Sequence, residues 1–376
     1  MNFVVAPDSY KGSLTAIDVA KTIENAIISE LSSATVVKVP MADGGEGFID
    51  SLVFSTNNSL TCEYFIKGPL SQNIKSYYGL LKDSSTAVIE VANICGLTLV
   101  SADLKNPFLT TSYGVGEAIL HLLDQGIRKF IIGLGGSATN DGGLGMLQAL
   151  GVKFHDQNGQ NVVPNGYGLK HIRKVNFESI DPRIKDCDIK IASDVENPLC
   201  GPKGATHIYG PQKGASPQQI KELDTALKHY AQIIKNEIDY DYENTLGAGA
   251  AGGLGFAFLI IGAFIESGAK LVAEATNLNE KIKNSDWVIT GEGQTDYQTL
   301  FGKAPAHVAK IAKDHHKKTI LVSGSLGEGI EELYELFVSC HATIPKPVSI
   351  ATAMQEAKIN LTLTTRNIAR LLKFTS

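Results

Sequence analysis

The chain has 376 residues, 43% hydrophobic and 19% charged, enough apolar material for two cores rather than one. With 34 Lys and Arg against 39 Asp and Glu, the net charge of -5 gives no basic field for a nucleic-acid backbone or an anionic membrane, so neither is expected as a partner. Five scattered cysteines, Cys62, Cys95, Cys187, Cys200 and Cys340, form no C-x-x-C pair, which argues against a disulfide framework or a zinc site and reads as reduced thiols.

Met1-Asn2 leads directly into the apolar run Phe3 to Ala6 without a basic segment or a cleavage pattern, so no signal peptide is read and the expected compartment is the cytoplasm. After that strand, Pro7 to Gly12 is turn chemistry, and Ala16, Ala20, Ile23, Ile27 and Leu31 recur at helical spacing behind a weak Thr15/Asp18 capping box. A second strand, Thr35 to Val39, ends at Pro40 and the glycine-acid loop Met41 to Gly47. In the middle of the chain Thr61 to Ile66, Ala87 to Val91, Lys129 to Gly133 and Ile189 to Ala192 are predicted strands of a mixed sheet. Leu246 to Ile265 carries no charge but six glycines and no basic flanks, so it is expected as a buried helix behind a glycine loop rather than a membrane span. Near the C-terminus strands are predicted at Asp286 to Thr290, Thr319 to Ser323 and Phe337 to Ser339. The expected fold is α/β: a discontinuous, flavodoxin-like (Rossmann-like) parallel-sheet domain from residues 1–60 plus 281–376, with a second α/β mixed-sheet domain inserted at 61–280.

Ligands of open α/β sheets bind outside the carboxyl ends of the strands, and this chain places glycine-rich, polar loops there. The loop from Gly133 to Gly143, GLGGSATNDGG, lets successive peptides approach a ligand and turn their N–H groups inward ahead of a helix starting near Leu144, which suits phosphate. It also matches G-x-G-x-x-A, with Asp156 downstream where a dinucleotide ribose would want an acid. The spacing argues against that alternative, because Asn140 to Gly143 prolong the loop past the third position. A bare chain-reversing turn is the bland alternative, and it would not need Asn140 and Asp141 beside serine and threonine hydroxyls. Lys11, between a strand end and a helix start, can meet phosphate or carboxylate oxygens, or be a surface lysine. Asp43 and Glu46 flank glycines before a helix and can equally be helix-terminus acids. Asp194 follows a strand and precedes a turn, while Glu292 and Asp296 with Gln298, Thr299 and Lys303 form the densest polar group. No P-loop, protein-kinase, H-E-x-x-H or G-x-S-x-G signature is present.

Eight motifs then resemble, in order, those of the bacterial glycerate kinase family: DSYKGSL at 8–14, PMADGGEG at 40–47, TSYGVGEAI at 111–119, GLGGSATNDGGLGMLQALG at 133–151, DVENPLCGPKGAT at 194–206, GPQKGA at 210–215, GAGAAGGLG at 247–255 and ITGEGQTDYQTLFGK at 289–303. The resemblance implies ATP-dependent, magnesium-requiring phosphorylation of D-glycerate, usually to 2-phosphoglycerate, in a cleft between two α/β domains. Gln294 stands where arginine is common, Tyr10 where phenylalanine is, and His307 where glycine is.

Phosphoryl transfer asks the protein chiefly to position reactants and neutralise charge. The expected nucleotide-phosphate cradle is Gly135, Gly136, Ser137, Thr139, Asn140 and Asp141. Lys11 and Lys303 face anionic oxygens, and Asp8, Asp43 and Glu46 join Lys303 around the substrate. Asp43, Asp194, Glu292 and Asp296 are the pool from which one or two carboxylates hold Mg²⁺. Asp194, ahead of Asp296, is expected to take the hydroxyl proton, with Lys11 as the catalytic cation. The remaining alternatives are a kinase of another hydroxy-acid or sugar, a 3-phosphoglycerate product, a non-catalytic sugar-acid binder and a nicotinamide oxidoreductase. The sequence is compatible with a homodimer and does not require one.

Overall fold

Short apolar runs from the two ends of the chain pair into one five-stranded sheet. In the computed structural model, which describes residues 1–56, 59–81 and 85–374, this sheet organises the first of two compact units, comprising Met1–Asp43, Gly47–Asn58 and Gly268–Ser376. The second unit is Gly44–Glu46 with Ser59–Ser267, so the chain passes from one unit to the other inside the 40–47 motif.

The strand order in the first unit is Ser339–Ala342, Lys318–Ser323, Trp287–Thr290, Asn2–Val5, Thr35–Lys38, and every pairing is parallel. Numbered along the chain this is the flavodoxin-like order 2-1-3-4-5, whose direction reverses between Asn2–Val5 and Trp287–Thr290. The loops leaving those two strands therefore open at the switch point, where such sheets hold ligands. Burial on both faces explains why the three central strands, Asn2–Val5, Trp287–Thr290 and Lys318–Ser323, read as apolar runs. Ile320 and Val322 join a core with Val19, Ile23, Ile27, Leu361 and Ile368 of the helices Ala16–Glu30 and Ala357–Phe374, while Leu321 between them packs with Ala309, Leu333 and Phe337 on the other face. Phe337 belongs to that second core, and the edge strand starts two residues later than predicted, at Ser339.

The second unit carries a six-stranded sheet ordered Phe264–Glu266, Asp188–Ala192, Lys129–Gly133, Thr86–Glu90, Asn73–Leu80, Leu60–Lys67. The first four strands are parallel and the last two antiparallel, giving the expected mixed sheet. Two strands of this sheet were not anticipated. Asn73–Leu80 returns from Leu60–Lys67 through a tight turn in which the Gly68 amide donates to the Gln72 carbonyl at 2.7 Å. Phe264–Glu266 closes the charge-free stretch, in which the buried helix expected behind a glycine loop is present. The helix there spans only Leu254–Ile260, because Gly252 and Gly253 take φ of +70° and +93°, conformations outside the right-handed helix. No helix among the described residues is long and apolar enough to cross a membrane. All five cysteines are free.

Candidate active site

The residues singled out above divide between the units: Asp8, Lys11, Asp43, Glu292, Asp296 and Lys303 lie in the first, and Glu46, Gly135 to Asp141 and Asp194 in the second.

In the first unit the strand ends at the switch point are laced together. The Asp8 amide donates to the Gly291 carbonyl at 2.8 Å, and Gly291 has to be glycine, since a Cβ there would fall 1.6 Å from the Val322 carbonyl oxygen. Tyr10 is buried, and its hydroxyl donates to that Val322 oxygen at 2.8 Å, anchoring the loop that presents Lys11. Lys11 Nζ reaches Asp43 Oδ2 at 2.8 Å, bringing the loops after Asn2–Val5 and Thr35–Lys38 together. After Trp287–Thr290, Glu292 Oε1 accepts from the buried hydroxyls of Thr295 at 3.1 Å and Thr299 at 2.7 Å. Lys303 Nζ stands 3.8 Å from Glu292 Oε2 and 3.9 Å from Asp296 Oδ1, and that Oδ1 also accepts the Gln298 amide at 2.9 Å.

This cluster sets four carboxylates, Asp8, Asp43, Glu292 and Asp296, against two ammoniums, Lys11 and Lys303. The imbalance shows in the acidities. Burial pushes the Asp8 carboxyl up to about 7, with Asp43 and Glu292 adding like charge, and the hydrogen bond from the Ser9 amide does not offset it. Glu292 is also raised, mainly by burial, against the pull of Thr299 and Lys303. A divalent cation would relieve both. Among the described residues no group of three or more His, Cys, Asp or Glu forms a complete protein cage for a metal. Mg²⁺ does not need one, since it keeps waters and phosphate oxygens and takes only one or two carboxylates, so the donor set fits it.

In the second unit the glycine-rich loop is built from beneath. The Gly135 amide donates to the Gly44 carbonyl at 2.9 Å, the Leu134 amide to the Ala192 carbonyl at 3.2 Å, and a Cβ on Gly135 would lie 2.4 Å from Gly45 Cα. The segments carrying Glu46 and Asp194, both exposed, are thereby drawn to the start of the loop. Asp141 is fully buried and accepts four hydrogen bonds: Ser112 N and Oγ at 2.8 Å each, Gly143 N at 3.1 Å and Gly145 N at 3.2 Å. Asn140, also fully buried, donates to Thr206 Oγ1 at 2.8 Å. Thr139, Asn140 and Asp141 have no exposed surface, so in this conformation they hold the loop in shape instead of touching a ligand. Of the residues expected to form a phosphate cradle, the accessible ones are Gly135 and Gly136 with the edge of Ser137. Among the described residues, the amides of Gly136 and Ser137 donate to no acceptor of the chain, as an anion nest requires. Asp156, the acid of the dinucleotide alternative, instead accepts the Asn158 and Gln160 amides within its own turn.

Sequence reasoning passed over two buried groups. Glu90 is 1% exposed and ends the strand opposite Gly133, where the loop begins; an acid closing an apolar run was the available signal. Lys213 is 2% exposed, and its Nζ donates to the Thr139 carbonyl at 2.7 Å and to Ser137 Oγ at 3.1 Å. A lysine between glycines in a loop reads as solvated, and only its motif, GPQKGA, hinted otherwise.

A family model described as the glycerate kinase family matches residues 3–373. The chain is 43% identical to a glycerate kinase of Haemophilus influenzae over all of its length and 99% of that protein, and 42% identical to a glycerate 2-kinase of Escherichia coli over 99% and 98%. A crystal structure of a protein assigned as glycerate kinase 2 from Salmonella typhimurium LT2 superposes with a TM-score of 0.89 at 40% identity, covering 100% of this chain and 99% of that one.

Proposed function

This chain belongs to the glycerate kinase family, and from that premise we propose that it transfers the γ-phosphoryl group of ATP to D-glycerate, forming 2-phosphoglycerate with Mg²⁺ as the assisting ion. The observation that carries this reading is the switch-point cluster, in which four carboxylates face two lysines, an arrangement suited to a metal–polyphosphate and not to a bare organic acid. The likeness to the glycerate 2-kinase of Escherichia coli supports the 2-position as acceptor.

When bound, Mg²⁺ would supply the counter-charge for the phosphoryl oxygens. Asp43 and Glu292 would hold it, Asp43 in exchange for its contact with Lys11 and Glu292 through Oε2, since its Oε1 accepts from Thr295 and Thr299. Lys11 and Lys303 turn their ammoniums to the anionic oxygens of the reactants. The peptides of Gly135 to Ser137 receive nucleotide phosphate. Asp194, exposed after its strand, takes the hydroxyl proton during transfer.

The test supplies ATP, Mg²⁺ and D-glycerate together with enolase but no mutase. Phosphoenolpyruvate formed directly supports the 2-phosphorylated product. ADP release without it moves transfer to the 3-position, and the absence of glycerate-dependent ADP release removes the kinase reading.

A further inference from the structure

Lys213 places an ammonium where burial opposes it. Removing a lysine head group from water costs several kcal/mol unless partners compensate. Here the hydrogen-bond partners are two neutral oxygens, the Thr139 carbonyl at 2.7 Å and Ser137 Oγ at 3.1 Å. The ionisable groups facing it are the Cys95 thiol and Asp141, and the Asp141 carboxylate already accepts four hydrogen bonds from its own loop. Both Lys213 contacts belong to the glycine-rich loop, and they bracket its turn next to the two unpaired amides of Gly136 and Ser137.

We infer that Lys213 is a positioning residue for nucleotide binding, its buried ammonium fixing the Ser137 to Thr139 backbone and lending the Gly135 to Ser137 nest a positive charge that never touches the ligand. The inference rests on the proposed phosphate-binding role of this loop. It explains why the chain keeps an under-compensated buried charge: an anion arriving at the nest is the missing partner. Burial lowers the lysine to about 8, so the charge is present at neutral pH and lost as pH rises through that value, while the Cys95 thiol, pushed up to about 12, stays neutral throughout.

The test follows MgADP binding by calorimetry from pH 7.5 to 9.5, where the nucleotide phosphates are already ionised. Wild-type affinity is expected to fall about tenfold across that range as the ammonium deprotonates. Lys213→Met, which keeps the volume and drops the charge, is expected to bind about tenfold more weakly at pH 7.5, with no pH dependence and an unchanged or higher Tm. A purely structural lysine would give the opposite pattern, a lower Tm with an unaltered binding profile, and that outcome overturns the inference. So does a wild-type affinity that is flat with pH, a measurement that needs no variant to fold. Wild-type protein that binds no MgADP and releases no ADP with D-glycerate defeats the functional reading itself, and the inference with it. Normal wild-type turnover with a flat binding profile defeats the inference alone.

Discussion

In the parallel-sheet unit the candidate groups are side chains that reach solvent: the Lys11 side chain is 77% exposed and that of Asp43 is 36%. In the glycine-rich loop of the mixed-sheet unit Ser137 is 4% exposed, and Thr139, Asn140 and Asp141 are fully buried, as is Lys213 beneath them at 2%, so what a ligand can meet of this loop is backbone. The first site is therefore a set of charges mounted on a finished scaffold, whereas the second is a scaffold whose interior is charged. An exposed ion pair contributes about 0 to 1 kcal/mol to stability, so the first site can lose members without unfolding. The network on Asp141 cannot, because each donor orphaned there costs about 1–3 kcal/mol.

The largest effect should come from testing that difference at Asp141. Asp141→Ala strands Ser112 N, Ser112 Oγ, Gly143 N and Gly145 N in the interior, and the relief of burying no carboxylate offsets only part of the loss. A destabilisation of about 3–5 kcal/mol is expected, read as a lower urea midpoint by far-UV circular dichroism. A midpoint within error of wild type would erase the contrast between the units. Next in size, Lys11→Ala should lower kcat/KM by about a hundredfold or more, near 2.7 kcal/mol of transition-state stabilisation, while the urea midpoint stays put. Wild-type kinetics for that variant would remove Lys11 from the site.

The same difference governs what could be read from the residues alone. Asn2–Val5 and Trp287–Thr290 announce themselves because strands buried on both faces are apolar throughout, and the loops behind them carry the acids and lysines in plain order. Asp8, Lys11, Asp43 and Glu292 were therefore legible as candidates, though not the pairing of Lys11 with Asp43 or the two threonine hydroxyls on Glu292. Asn73–Leu80 stayed hidden because its register is set by its hairpin partner, and its polar start, Asn73-Ile74-Lys75, resembles a loop. Phe264–Glu266 stayed hidden because hydrophobicity without charge does not separate a helix from a strand, and the positive-φ glycines decide it. Lys213 is the clearest case. Burial is a property of the fold, and a lysine code letter carries the opposite expectation.

A smaller effect separates the two kinds of burial by pH. Asp8 sits only partly buried in the first unit with its carboxyl near 7. An acid whose folded pKa lies above its unfolded value makes the native state bind the extra proton between those values, so stability falls as pH climbs from about 4 to 7. Asp8→Asn should remove that slope. Allowing for solvent screening, the variant should gain about 2 kcal/mol over wild type at pH 8 and nothing at pH 4, and Mg²⁺ should narrow the gap at pH 8 by compensating the carboxylate. Parallel melting curves of the two proteins would show it through Trp287, the one tryptophan of the chain, which lies in this unit. Lys213 should tilt the other way: its folded pKa is lowered, so its cost to stability is present below about pH 8 and is relieved as pH rises toward 10.5.

The smallest expected effect is also the one that most directly tests the charge argument. Gln294 occupies an exposed position in the two-residue strand Gln294–Thr295, paired in parallel with Ser325–Leu326, two residues after Glu292 and two before Asp296. Gln294→Arg would bring a third cation to a cluster of four carboxylates and two lysines without disturbing a buried contact. Added to a wet site, one charge is worth on the order of 0.5 kcal/mol, so the KM for ATP should fall about two- to threefold at low salt, with kcat and Tm unchanged. Raising the ionic strength to about 0.5 M should abolish the gain, because exposed charges are screened within a few ångströms there. A gain that survives high salt would mean that the guanidinium makes a direct, desolvated contact. A KM that rises would mean that this cluster does not receive the nucleotide as an anion at all, and the two units would then have to exchange the roles assigned to them.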